Sequence, residues 1–153
     1  MKNIFLIASV LLLFGCSRDD DKNISNPNPN NPTIQKQIES DMENGDWRIT
    51  NFNEDGNDKT QNFNGYVFKF NSDGSISVSN VTSNYSGLCG MNDFNLDDDS
   101  QNNLHFNILF YEANNFLELN DDWEVISHSE TKLLLQDISG GNGGIDFLTF
   151  EKN

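Results

Sequence analysis

Tyr66-Val67-Phe68-Lys69-Phe70-Asn71-Ser72-Asp73-Gly74-Ser75-Ile76-Ser77-Val78-Ser79 is the stretch that decides the fold. Tyr66, Phe68 and Phe70 alternate with smaller or polar residues, and Ile76 and Val78 do the same further on. Alternation with a period of two puts one apolar face on each strand. Asn71-Ser72-Asp73-Gly74 between the two runs reads as a tight turn, because Gly74 accepts the positive φ such turns require. The stretch is therefore an antiparallel hairpin that presents an aromatic face to a core.

The pattern repeats on both sides. Trp47-Arg48-Ile49-Thr50-Asn51-Phe52 is expected as the first strand, and Phe94-Asn95-Leu96 as a weak one. Leu104, Phe106, Ile108 and Phe110 keep one register across Leu104-His105-Phe106-Asn107-Ile108-Leu109-Phe110. Phe116-Leu117-Glu118-Leu119 leads through Asn120-Asp121-Asp122 to Trp123. Glu124 to His128, Lys132 to Gln136 and Asp146 to Phe150 complete the series, and Gly140-Gly141-Asn142-Gly143-Gly144 links the last two. About eight short strands joined by hairpin-like turns make an all-β domain. An up-and-down meander that closes on itself removes exposed edges. The expected architecture is a small antiparallel barrel or half-barrel, with a β-sandwich as the competitor. Ile34, Ile38 and Met42 recur at helical spacing, with Thr33 as the expected N-cap and Gly45 as the stop. The domain is thus expected over 34–153, led by a short helix.

The N-terminus has the three parts of a signal peptide: Lys2, an apolar stretch from Ile4 to Phe14, and the small Gly15. The apolar stretch is shorter than the roughly 20 residues of a membrane-spanning helix. Leu13-Phe14-Gly15-Cys16 resembles the bacterial lipobox. That resemblance implies removal of residues 1–15, diacylglycerol on the Cys16 sulfur and a further chain, palmitate or similar, on the new amine. Several chains matter, because one alone binds a bilayer only marginally. Residue 17 is Ser, not Asp, which resembles lipoproteins released to the outer membrane. The acidic run Asp19-Asp20-Asp21 resembles the surface-export signal of Bacteroidetes lipoproteins, or is a solvated spacer. The expected location is the outer membrane, facing the periplasm or the cell surface. Residues 16–33 hold all three prolines of the chain among asparagines and read as an extended, disordered tether.

The chain carries a net charge of −15. That acidity opposes nucleic-acid binding, which draws on cationic contacts to phosphate, and leaves membrane attachment to the lipid. With Cys16 taken by lipid, Cys89 has no partner for a disulfide within the chain. Two cysteines and two histidines do not supply the usual zinc sets.

Gly45-Asp46-Trp47 at the start of the first strand resembles the Gly-x-Trp signature of lipocalins. Asn71-Ser72-Asp73-Gly74-Ser75, Asp121-Asp122-Trp123 and the ending Gly143-Gly144-Ile145-Asp146-Phe147-Leu148-Thr149-Phe150-Glu151 resemble the uncharacterised short lipocalin-like lipoproteins of Flavobacteria. The resemblance covers about 44–153 and implies a barrel closed at one end by the leading helix and plugged by Trp47. Longer lipocalins carry an Asp-Tyr motif and set an arginine against the tryptophan. Here there is no Asp-Tyr, and the last strand offers Lys152.

No enzyme signature stands out. Asp97-Asp98-Asp99 and Asp121-Asp122 lack the spacing of a calcium loop and read as solvated, with Asp121 or Asp122 capping a short turn before Trp123. His105 and His128 lie in strands without metal-like neighbours. The expectation is a non-enzymatic protein without cofactor or metal, which binds a small apolar ligand or serves as an envelope binding module. Tyr66, Phe68, Phe70, Phe106, Ile108 and Phe110 are the candidate ligand residues, since their faces converge on one interior. The other reading is a surface-exposed interaction or accessory lipoprotein whose twelve phenylalanines simply fill the core.

Overall fold

The computed structural model describes residues 32–92, 104–112, 114–138 and 144–153. The expected signal segment 1–15, Cys16, nearly all of the tether, the weak strand at 94–96, the acidic run 97–99 and most of the glycine turn 140–144 lie outside those residues.

One helix leads, α1 (Pro32–Glu43). Then come β1 (Trp47–Glu54), the two-residue β2 (Asn57–Asp58), β3 (Val67–Phe70), β4 (Ser75–Ser79) and β5 (Asn84–Asn92). β6 (His105–Phe110), β7 (Asp121–Ser129), β8 (Lys132–Ile138) and β9 (Ile145–Lys152) complete the set. Two 3₁₀ turns, Thr60–Phe63 and Asn115–Leu119, lie between strands. From β3 to β9 each strand pairs antiparallel with the next, and β9 returns to pair with β1. β1 meets β3 through the pair Trp47↔Phe68. β1 and β3–β9 thus close an eight-stranded antiparallel barrel, and β2 extends one edge of β1 at Asn53 and Glu54. The expected all-β barrel with a short helix is what forms, in its closed version.

Three local expectations are corrected. The helix starts at Pro32, so Thr33 sits in its first turn instead of capping it. A proline suits that position, because the N–H it lacks would have no helical partner. Phe116, Leu117, Glu118 and Leu119 wind into a 3₁₀ turn capped by Asn114, whose side chain accepts the Phe116 N–H at 2.9 Å. Asp121 and Asp122 open β7 and cap no turn. β5 is a full strand over a stretch in which the apolar alternation marks none.

The alternating residues converge as expected. Ile76, Val78, Leu104, Phe106, Ile108, Phe110, Leu133, Leu135, Leu148 and Phe150 are all buried in one core. Each end of the barrel is capped. At one end Ile38 and Met42 of α1 press into the core; at the other, the distal end, Phe63, Phe116 and Leu119 of the 3₁₀ turns do so. A tryptophan ties each cap to the strand that follows it. Trp47 Nε1 donates to the Met42 carbonyl at 2.9 Å, and Trp123 Nε1 donates to the Leu119 carbonyl at 2.9 Å. Each indole thereby satisfies a carbonyl that the helical backbone leaves open, while burying its large apolar body.

Gly45 has φ +119°, and a Cβ there would stand 2.7 Å from Lys152 Cε. Glycine both ends the helix and lets Lys152 lie over Trp47, with Nζ 5.4 Å from the ring centroid. The cation on the tryptophan is therefore Lys152. No helix among the described residues is long and apolar enough to cross a membrane.

Candidate functional site: a pocket beneath the helix

Five of the six residues expected to line a ligand site are buried in the barrel interior, where the four phenylalanines join one chain of ring contacts. Phe106 meets Phe70 at 5.6 Å between ring centroids, Phe70 meets Phe150 at 5.4 Å, and Phe150 meets Phe68 at 5.4 Å. Phe68 meets Phe116 at 5.9 Å, and Phe116 meets Phe110 at 5.2 Å. This chain of mostly edge-to-face rings spans the interior from the α1 end to the distal end. Such contacts are the favoured aromatic geometry and leave the middle of the barrel occupied by side chains. Ile108 is buried beside them. Tyr66 is set apart, half-buried at the distal end against Phe116 at 5.1 Å, with its hydroxyl engaged by Tyr85 and Asn80.

A cavity of about 170 Å³ lies instead at the α1 end. Its walls come from α1, the β3–β4 turn, the end of β5 and the start of β6. Phe70 and Phe106 are the two expected ligand residues that border it, and buried Met42 joins them as floor. Met91 and Cys89 form a half-buried wall. Glu39 and Glu43 line it from α1, and Asn71, Ser72, Gly74 and Gly90 from the strand ends. The opposite wall is held by backbone: the Cys89 N–H donates to the Gly74 carbonyl at 2.8 Å, and Gly74 has φ +80°. Gln35 Nε2 donates to the Met91 carbonyl at 3.4 Å and keeps α1 beside β5. A mostly apolar recess with a few polar groups is the form small-molecule sites take.

Electrostatics there has one sign. Burial pushes the Cys89 thiol up to about 12, and the carboxylates of Asp73, Glu43 and Glu39 push it the same way. The thiol is neutral at any physiological pH and is a poor nucleophile. Among the described residues lining the cavity there is no lysine or arginine.

Two further polar groupings lie elsewhere. β7 carries a bulge between Val125 and Ser127, so the residues after it change faces. His128 pairs with inward-facing Leu133 and brings Nε2 to 3.0 Å from Asp41 Oδ2 on α1. Burial lowers the His128 pKa, against the opposing pull of Asp41. His105 is buried, donates Nδ1–H to the Asp122 carbonyl at 3.0 Å, and leaves Nε2 without a hydrogen-bond partner among the described residues. Near the start of β7, Asp121, Asp122 and Asp137 bring carboxylate oxygens within 4.8 Å of one another. Burial, with the charge of Asp137 adding to it, raises Asp121 to about 6.

Sequence reasoning found Phe70 and Phe106 but missed Glu39, Glu43, Cys89 and Met91 as neighbours of theirs. Helical spacing already sets Glu39 and Glu43 one turn apart on α1. What the pattern lacks is the strand β5 that they face.

No family model and no curated protein matches the chain. Among solved structures it is similar to the crystal structure of a DUF4847 family protein from Bacteroides vulgatus ATCC 8482. The two share 15% identity with a TM-score of 0.48, over 76% of this chain and 97% of that one.

Proposed function

We propose that the chain is a non-enzymatic, lipid-anchored protein of the outer membrane whose lipocalin-like barrel serves as a binding module. Its ligand is small and largely apolar, and it sits in the pocket beneath α1 instead of the barrel centre. The observation that carries this reading is the contrast between an interior occupied by touching rings and a recess of about 170 Å³ floored by Met42, Phe70 and Phe106. The barrel holds the rings rigid, and α1 supplies the facing wall. The lipid on Cys16 and the tether keep the module at the membrane.

Native mass spectrometry of the full chain extracted from its host, alongside Met91→Trp, tests the binding reading. Met91 lies on the inward face of β5, opposite buried Phe106, and lines the pocket half-buried, so a Trp there fills the recess. A small molecule should travel with the natural protein and be absent from Met91→Trp. A ligand retained equally by both would place binding elsewhere. Fatty-acid labelling that persists in Cys16→Ala would sink the anchoring part.

A second reading, a protein-interaction module without ligand, draws on exposed apolar side chains. Ile138 pairs across from Ile145 and is 60% exposed, and Phe147 of the same hairpin is 41% exposed. Crosslinking in intact cells from a photoreactive residue at 147 would favour this reading if it trapped one defined partner.

A further inference from the structure

We propose that the pocket beneath α1 takes a small organic cation, an aromatic ring or short alkyl chain bearing an ammonium group, and rejects carboxylates such as fatty acids. The proposal rests on the reading of that pocket as the ligand site and adds the chemical class of its occupant. Three features converge on it.

The first is size. About 170 Å³ is close to the roughly 150 Å³ of an apolar cavity that admits benzene, so one ring or a chain of similar bulk fits. A long acyl chain does not. The second is the floor. Phe70 and Phe106 present aromatic rings, and Met42 and Met91 present thioethers. Ring faces attract an ammonium through their quadrupole, and the polarisable sulfur adapts to an irregular guest.

The third is charge. Glu39 and Glu43 stand one turn apart in the last two turns of α1, and no basic residue occupies its final turn. Like charges at that spacing repel, and carboxylates near a helix C-terminus oppose its dipole. Both unfavourable arrangements are relieved by a cation placed against the two carboxylates at the C-terminal end of α1. The same field acts inside the recess, where Asp73, Glu43 and Glu39 all disfavour a negative charge on Cys89. An anionic ligand would meet that field with no lysine or arginine among the described lining residues to offset it.

Calorimetric titration of the full chain with benzylammonium, benzyl alcohol and benzoate tests the inference. The three probes share a ring and differ in charge. Benzylammonium should bind about tenfold more tightly than benzyl alcohol at low salt, and benzoate should not bind. The preference should shrink as salt is added. In Glu39→Gln/Glu43→Gln it should fall to within about twofold, with benzyl alcohol unaffected. Met91→Trp, which fills the recess, should abolish binding of both. If benzyl alcohol matches benzylammonium in the natural protein, the charge inference fails and the pocket reading stands. If no probe binds, both fail. If benzylammonium still binds Met91→Trp, it is held by the acidic surface at large, and the inference is overturned.

Discussion

Phe68 meets the rings of Phe116 and Phe150 from the first full strand of the hairpin, and it is 1% exposed. Truncating it leaves a void bounded by rigid rings that cannot collapse into it. Phe68→Ala should therefore cost about 3–5 kcal/mol, read from chemical denaturation. A cost below about 1 kcal/mol would mean the barrel centre is a soft ligand cavity after all. Asp121 gives the pH-dependent counterpart. Its folded pKa of about 6 lies above the ordinary aspartate value of 3.8, so the folded state holds the proton longer than the unfolded chain. Its contribution is full below pH 3.8 and is lost as pH rises through about 6. Asp121→Asn should stabilise the protein by about 1 kcal/mol at pH 7–8, with the gain gone near pH 4. Melting temperatures across that range check it, and an equal gain at both ends would contradict the assignment.

At the scale of elements, β5 separates what alternation reveals from what it hides. The hairpin β3–β4, strand β6 and the pair β8–β9 are legible because large apolar residues mark every second position. β5 reads Asn84-Tyr85-Ser86-Gly87-Leu88-Cys89-Gly90-Met91-Asn92, and after Tyr85 its inward positions hold only the small or soft Gly87, Cys89 and Met91. The reason is steric. A Cβ at Gly87 would stand 2.7 Å from the Leu109 carbonyl oxygen and 2.8 Å from the Phe110 ring, so the strand lacks a side chain where its neighbour's ring lies. Gly87→Ala should accordingly destabilise by about 1–3 kcal/mol and shift the Phe110 ring resonances in NMR spectra. An unchanged melting temperature would show that the ring has room to move. Two bulges add to the illegibility. One lies between Ile49 and Asn51 and one between Val125 and Ser127, and each reverses which residues face inward beyond it. His128 therefore points at α1 and Asp41, whereas strict alternation from Trp123 sends it outward. The pocket was half visible for the same reason: its floor follows the alternation of β3 and β6, but its far wall is β5.

The whole molecule is held shut by its two chemically distant ends. β1 pairs with β9 from Trp47↔Lys152 to Asn53↔Phe147, and the Asn153 N–H donates to the Asp46 carbonyl at 2.9 Å. Deleting residues 145–153 should convert cooperative unfolding into a broad transition with exposed apolar surface, detected by dye binding, because β8 and β1 would both become bare edges. A truncated chain that still melted sharply would show that seven strands suffice. The closure also has a consequence in time. Arg48 and Asn153, joined across the seam at 3.1 Å, are 105 residues apart along the chain. At ribosomal rates of about 5–20 residues per second, the first strand waits roughly 5–20 s for the last to be made. During that wait Trp47 and Phe52 lack the strand that covers them. Until translation ends, the nascent chain must be kept from clumping by its acidic charge and by whatever escorts it.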